Sequence, residues 1–248
     1  MNSKKKNANH KNMPAIVYVL RISLIISILF NLAKITFNII DAKNSSGIYI
    51  YNQISKDVEI ELWAILTLIL CFLPEFLDTR IKIHLPIIFE TIIVIFIYCA
   101  IFLSVRFDLY YRFFWWDDLL HATSGIVIGF IGAIYIYIIN KRYSMNLSPR
   151  LIAVFTFAFA VSLGVLWEMF EFTIDVFFGT ANQKWDLPPD TNLIILGKPY
   201  QGSGLRDTMS DLIINAFGAL IAAVSNFFIY IRDRKKALKL LRKIAPGK

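Results

Sequence analysis

Long apolar stretches, separated by short polar or basic segments, make up most of the chain between residues 14 and 231. A membrane-spanning helix needs about 20 mainly apolar residues, and six stretches approach or exceed this length. Their approximate bounds are 14–40, 60–76, 87–105, 117–140, 151–178 and 205–231. The pattern therefore predicts an all-α fold, a polytopic membrane helical bundle with six transmembrane helices.

Polar residues and turn formers mark the connections between these helices. The first connection, 41–57, contains Asn44-Ser45-Ser46-Gly47, and the longest, 179–204, contains Pro188-Pro189. We therefore expect one transmembrane domain, 14–231, between a polar N-terminal tail, 1–13, and a basic C-terminal tail, 232–248.

Composition and charge support a membrane protein rather than a soluble one. Hydrophobic residues make up 57% of the chain, and the mean hydropathy is +0.58. The net charge of +8 comes from basic residues in tails and short loops, which favours an anionic membrane surface over nucleic acid as partner. Cys71 and Cys99 lie in apolar stretches, so neither a disulfide framework nor a cysteine metal site is expected.

The distribution of lysine and arginine predicts the orientation. With six helices both tails lie on one side, which collects 17 of these residues from tails and loops, against 7 on the other. The positive-inside rule then places both termini in the cytoplasm and the protein in the cytoplasmic (inner) membrane.

Acidic residues interrupt the apolar pattern of the fifth helix near its end. Glu168, Glu171 and Asp175 are spaced three and four residues apart, so they share one helical face. Three carboxylates facing lipid would be very costly, so this face must meet protein or a water-filled cavity. An ionisable residue inside a membrane is a candidate functional residue.

The predicted topology brings further polar residues to the same depth. The fourth and sixth helices start at the outer face, where the fifth helix ends. The fourth carries Asp117 and His121 at a four-residue spacing, and the sixth carries Asp207, Asp211 and Asn215 at the same spacing. We therefore expect three polar stripes to meet near the outer face.

So many carboxylates at low dielectric need protons, basic partners or a bound cation. Lys34 and Arg206 are the basic partners expected near the outer face. An oxygen-rich set with one imidazole suits Zn²⁺, Mn²⁺, Mg²⁺ or Fe²⁺, and the sequence does not choose among them. We predict His121, Glu171 and Asp211 as catalytic residues. The predicted metal ligands are Asp117, His121, Glu168, Glu171, Asp207 and Asp211.

Simpler roles explain some of these residues. Asp117, Asp118 and Asp207 stand where acids commonly cap a helix and favour its dipole. A polar network that only holds the helices together is the alternative for the deeper acids. Asn215, Gly218 and Ala222 suit close helix packing. Elsewhere, Arg21 and Glu90 are expected to neutralise each other.

Three short elements in one order also carry a family resemblance. Trp116-Asp117-Asp118-Leu119-Leu120-His121, Trp167-Glu168-Met169-Phe170-Glu171 and Asp207-x-x-x-Asp211 before Gly218-Ala219-Leu220 resemble motifs of the YjdF-like bacterial inner-membrane proteins. The order is also similar to that of VanZ-like proteins, which typically have Gln where this chain has Glu171. The resemblance implies a site between Trp116 and Ala222. VanZ-like proteins are linked to glycopeptide resistance at the cell envelope, whereas YjdF-like proteins imply no particular activity.

Three functions are compatible with these observations. The first is a metal-assisted enzyme acting on a lipid or cell-envelope substrate, with Asp117 orienting His121 or binding the metal directly. The second is a cation- or proton-coupled transporter, although the chain lacks the repeats of many transporters. The third is a structural or envelope-accessory protein. Membrane lipids are the expected partners in each case, and the sequence does not define the substrate or the oligomeric state.

Overall fold

The computed structural model of the chain describes residues 13–42, 48–81, 85–187 and 201–232. The two predicted tails lie outside these residues except at positions 13 and 232, and so does the Pro188-Pro189 part of the longest connection. Within the described ranges all regular secondary structure is helical. The predicted all-α class is therefore confirmed.

Nine α-helices and two π-helical segments follow one another along the described residues. They are α1 Ala15–Ala42, α2 Ile48–Leu70, α3 Leu73–Phe76, a π-helical Leu77–Ile81, α4 Ile87–Ile97, a π-helical Tyr98–Leu103, α5 Ser104–Arg106, α6 Leu109–Arg112, α7 Trp116–Arg142, α8 Pro149–Phe178 and α9 Ser203–Arg232. Among these residues six segments are long and apolar enough to cross a membrane, as predicted. They are Ala15–Asp41, Gln53–Arg80, Ile87–Arg106, Trp116–Arg142, Pro149–Phe178 and Ser203–Arg232.

The chain divides into two compact units, Met1–Arg112 and Phe113–Lys248. In the first unit, α1 packs on α2, and the start of α2 differs from the prediction. Residues 48–57 were predicted as part of the polar connection 41–57, but they are helical. Buried Asp57 explains this, since Lys34, Asn38 and Gln53 all donate hydrogen bonds to its carboxylate. Polar residues in this first part of α2 thus meet polar residues of α1.

The second span of the first unit is interrupted where Pro74 starts α3. A proline cannot donate the helical hydrogen bond, so nearby backbone groups need other partners. The Arg21 guanidinium donates to the carbonyl oxygen of Cys71 at 2.6 Å and to Oε1 of Glu75 at 2.5 Å. Arg21 therefore has an ion-pair partner, Glu75, that was not expected from the sequence.

The second unit is built from α7, α8 and α9, and small residues allow these helices to approach closely. A methyl group added at Gly125 of α7 would overlap the carbonyl oxygen of Asn215 on α9. One added at Gly218 of α9 would overlap the carbonyl oxygen of Ala122 on α7. The packing role predicted for Asn215, Gly218 and Ala222 is confirmed, because Gly129 lies against Ala222 in the same interface.

Candidate functional site

The His121 imidazole lies among three carboxylates contributed by the three helices of the second unit. Its Nε2 is 3.4 Å from Oδ1 of Asp117, 3.8 Å from Oδ2 of Asp211 and 4.0 Å from Oε1 of Glu168. All four side chains are buried. We call these four residues the His121 cluster.

Helix geometry explains why these residues meet. Asp117 and His121 are one turn apart on α7, as are Asp207 and Asp211 on α9, so each pair projects from one helical face. The glycine contacts bring the α7 and α9 backbones close together. Asn215, one turn beyond Asp211, donates from Nδ2 to Oγ of Ser124 at 3.2 Å and fixes the register of the two helices.

Glu168 presents one carboxylate oxygen to the cluster without a hydrogen-bond partner. Oε2 of Glu168 accepts a hydrogen bond from Nε2 of Gln183 at 3.2 Å. Oε1 is buried and accepts no hydrogen bond from any residue in the described part of the chain. A buried charged acceptor without a donor is costly, and such exceptions in folded proteins call for an explanation.

A basic residue that was not predicted, Lys184, contacts two acids of the site. Its ammonium group is 2.5 Å from Oδ2 of Asp117 and 2.7 Å from Oδ1 of Asp207. Burial lowers the pKa of Lys184, but the two carboxylates more than compensate, so that the pKa is raised and the side chain stays charged. Lys34, one of the predicted partners, instead pairs with Asp57 at 2.6 Å in the first unit.

Asp175 holds the connection that carries Lys184. Oδ1 of Asp175 accepts hydrogen bonds from the Thr180 hydroxyl and from the backbone and side-chain nitrogens of Asn182, at 2.6 to 2.9 Å. Oδ2 accepts from the Gln183 backbone at 3.0 Å. Gly179, with a φ of 66°, ends α8 and turns the chain back towards the helices. Asp175 therefore has an anchoring role that its spacing alone did not reveal.

The six predicted metal ligands divide into three groups. Asp117, His121 and Asp211 each offer a ligand atom within 4.8 Å of the others, and Oε1 of Glu168 lies beside them. Asp207 is paired with Lys184 instead. Glu171 accepts a hydrogen bond at 2.9 Å from the Trp167 indole and lies about one helical turn from Glu168 on α8. Glu171 is therefore a neighbour of the cluster.

The spacing of the cluster atoms is suitable for a cation. Two ligand atoms each about 2.1 Å from a tetrahedral ion lie about 3.4 Å apart. The separations from Nε2 of His121 to Asp117 and Asp211, 3.4 and 3.8 Å, are close to this value, and the three ligand atoms lie within 4.8 Å of one another. Glu168, 4.0 Å from Nε2, lies beside these three and would have to move in to complete the set. One imidazole and three carboxylates form a donor set compatible with Zn²⁺, Mn²⁺ or Fe²⁺.

Sequence reasoning did not identify Lys184 and Gln183 as parts of the site. A signal was present, because Lys184 is the first basic residue after Asp175 and lies in the connection between two acid-bearing helices. Its contact with Asp117 nevertheless depends on the path of that connection. Asp175 sets this path by accepting hydrogen bonds from the backbone of residues 182 and 183 and from the Thr180 and Asn182 side chains. The backbone donors leave no residue pattern in the sequence.

Comparison with protein families gives a match, over residues 46–232, to a family described as "Predicted membrane protein (DUF2238)". The match includes all of the second unit's described helices and the complete His121 cluster. Searches of curated proteins and of solved structures find no match.

Proposed function

We propose, from the premise that this chain belongs to the DUF2238 family of predicted membrane proteins, that its His121 cluster binds one divalent cation. In this proposal the protein is a metal-assisted enzyme acting on a lipid or envelope-linked substrate. The four candidate ligands are His121, Asp117, Glu168 and Asp211.

One observation carries the proposal, namely the buried Oε1 of Glu168, which lacks a hydrogen-bond donor among the described residues and lies 4.0 Å from Nε2 of His121. A purely structural network would be expected to provide a donor for this oxygen, as Gln183 does for Oε2. A cation shared with His121, Asp117 and Asp211 would satisfy it. The same cation would offset the excess of carboxylates that Lys184 leaves uncompensated.

The surrounding residues have distinct roles in the proposed chemistry. A divalent cation at this position would polarise an ester or phosphoryl oxygen, or activate a water molecule. Lys184 fixes Asp117 through its second oxygen, so that Oδ1 of Asp117 stays directed towards His121. Glu171, held by Trp167 beside the cluster, is the candidate proton acceptor.

The location of the site at the outer face of the inner membrane is also part of the proposal. It is supported by the excess of lysine and arginine on the side of the tails. The similarity of the motif order to that of VanZ-like proteins supports an envelope-linked substrate. A reporter fused after Lys248 should read as cytoplasmic and one inserted at Gly202 as external. The opposite result would place the site on the inner face.

Metal analysis of matched variants tests the proposal. The protein purified from metal-supplemented cells should retain about one divalent cation per chain, and Asp211→Asn should lose it, since an amide binds these cations more weakly. Asp118→Asn is the control, because Asp118 is an exposed acid on α7 beside Asp117. A metal-free parent protein, or equal metal retention by both variants, would contradict the proposal.

The alternative of a structural role also has an observation in its favour. Lys184 joins Asp117 of α7 to Asp207 of α9, a bridge that would stabilise the three-helix unit without any chemistry. A structural network predicts that Asp211→Asn assembles normally and leaves every envelope phenotype unchanged. The enzyme proposal predicts normal assembly together with loss of the phenotype.

A further inference from the structure

A groove of about 890 Å³ lies between α8, α9 and the connection that follows α8. This volume is within the range of about 300–1,000 Å³ typical of ligand pockets. Its apolar walls are formed by Val165, Met169, Phe172, Val176, Leu205 and Leu212. The lining on α8 extends from Val165 to Val176, about 16 Å at 1.5 Å per residue.

The environment of this groove limits what can fill it. It is formed by the outer parts of two membrane-spanning helices, and Met169, Phe172 and Leu205 are more than half exposed. Trp185, which also lines the groove, is of the residue type enriched at membrane interfaces. The molecules available to such a surface are membrane amphiphiles, whose chains match the apolar walls.

Polar groups lie within the same groove. Glu168, Gln183 and Thr208 line it, and Nε2 of Gln183 donates to Oγ1 of Thr208 at 2.8 Å as well as to Glu168. The two ionisable residues in the described lining, Glu168 and Asp175, are both acids. This wall therefore offers mainly hydrogen-bond acceptors and negative charge.

Glu168 connects the groove to the His121 cluster. Oε2 of Glu168 accepts a hydrogen bond from Gln183, which lines the groove, while Oε1 of Glu168 lies 4.0 Å from Nε2 of His121. A polar head group that contacts Glu168 from the groove thus contacts one of the four residues of the His121 cluster. The groove gives a path from the lipid phase to the candidate metal site.

We infer that this groove binds a membrane lipid whose head group donates hydrogen bonds and carries no net negative charge. The acyl chain would lie against Met169 and Phe172, and the ammonium or hydroxyl group against Glu168. The ionisable residues in the described lining of the groove, Glu168 and Asp175, are both acids, and no basic side chain lines it there. An anionic head group would therefore be repelled. The role of this lipid as substrate rests on the proposed function, whereas its binding does not.

The protein is first incorporated into vesicles that contain equal amounts of three phospholipids with the same acyl chains. It is then extracted, and the lipids that it retains are measured by native mass spectrometry. The first is phosphatidylethanolamine. The second, phosphatidylcholine, has the same zwitterionic charge but no N–H donors, and the third, phosphatidylglycerol, is anionic. We expect phosphatidylethanolamine to be retained most strongly. Equal retention of the three lipids would show an ordinary surrounding lipid shell and overturn the inference.

Two substitutions on α8 localise the binding. Met169→Trp fills the groove and should reduce phosphatidylethanolamine retention about tenfold. This is the loss expected when the lipid buries less apolar surface, by an amount comparable to one side chain. Leu166→Trp is the control, because Leu166 is outside the groove lining and its exposure of 56% matches the 59% of Met169. Equal retention by these two variants would overturn the inference.

Chelator treatment separates this inference from the proposed function. Retention should persist after metal removal, since the groove wall and Glu168 remain. Selective retention in a protein that never holds metal would support the lipid site and contradict the metal-assisted enzyme. Metal binding without lipid selectivity would support the cation site and overturn the lipid inference. Unchanged elution and melting temperature of both tryptophan variants would show that they are folded.

Discussion

Both units of the chain bury carboxylates, but their surroundings differ. In the first unit, the 1% exposed Asp57 accepts from Lys34, Asn38 and Gln53, so its charge is compensated and its oxygens are satisfied. In the second unit three carboxylates surround His121, and an oxygen of Glu168 has no donor among the described residues. An acid saturated with donors is a structural element, whereas surplus acceptors around an imidazole mark a candidate binding site.

Glu61 sharpens the comparison. It is buried in the first unit, and its Oε2 accepts from Nδ2 of Asn31 at 3.2 Å, while Oε1 has no hydrogen-bond partner among the residues described. Glu168 lies beside a group of potential metal ligands, 4.0 Å from Nε2 of His121, whereas no such group in the described ranges includes Glu61. A single unsatisfied oxygen is therefore insufficient to define a site, and we expect a proton to neutralise Glu61.

The largest effect on stability is expected at Asp57. Asp57→Ala removes the acceptor shared by three donors and leaves the Lys34 charge unpaired. The expected loss is about 3 kcal/mol of unfolding free energy, the low end for a broken buried pair, since the Lys34 side chain is 37% exposed. Unfolding in detergent measures it, with exposed Asp41→Ala as control. Equal stability of the two variants would remove the distinction between the two units.

A smaller loss is expected at Lys184. Lys184→Met leaves Asp117 and Asp207 without their cation and should cost about 2 kcal/mol, because the carboxylates can be partly relieved by proton uptake. The raised pKa of Lys184 fixes the pH dependence. Its contribution is complete below the unfolded-state pKa of about 10.4 and is lost as pH rises through the folded-state value.

The stability difference between the parent protein and Lys184→Met should therefore not decrease between pH 6 and pH 9, and it should shrink only above about pH 10.4. Chemical unfolding across this range checks the prediction. A difference that already disappears between pH 7 and pH 9 would mean that Lys184 is not held by the two carboxylates.

The smallest effect is expected at Glu61. If Glu61 is neutral, Glu61→Gln replaces a protonated carboxyl group with an amide of nearly the same shape. The change in unfolding free energy should stay within about 0.5 kcal/mol, as for an ordinary tolerated substitution. A loss comparable to that of Asp57→Ala would show instead that Glu61 carries a charge with a specific cationic partner.

Local sequence patterns were sufficient to predict the spans and most of the His121 cluster. Helical spacing placed Asp117 beside His121, and Asp211 one turn from Asp207. Because successive spans run in opposite directions, Glu168 near the end of the fifth span was expected at the same depth as these residues. These predictions depend on helix periodicity and chain direction, which the sequence contains. The helical start of α2 was missed because residues 48–57 were grouped with the polar connection 41–57, and their partners on α1 are not visible in a local window.

Contacts that depend on irregular chain could not be predicted. Lys184 reaches Asp117 because Asp175 fixes the turn, in part through the backbone N–H groups of residues 182 and 183, which any residue except proline supplies. Arg21 pairs with Glu75 at a helix interruption whose geometry depends on Pro74. In both cases tertiary packing selected the partner.

The most direct test of the cation site is an anomalous diffraction measurement on crystals of the metal-loaded protein. Data collected above and below the absorption edge of Zn²⁺ or Mn²⁺ should give one peak between His121 and the carboxylates of Asp117, Glu168 and Asp211. Its distances to their ligand atoms should be about 2.0–2.3 Å. A loaded crystal with ordered His121 and no peak at this position, or with Oε1 of Glu168 hydrogen-bonded elsewhere, would contradict the metal site.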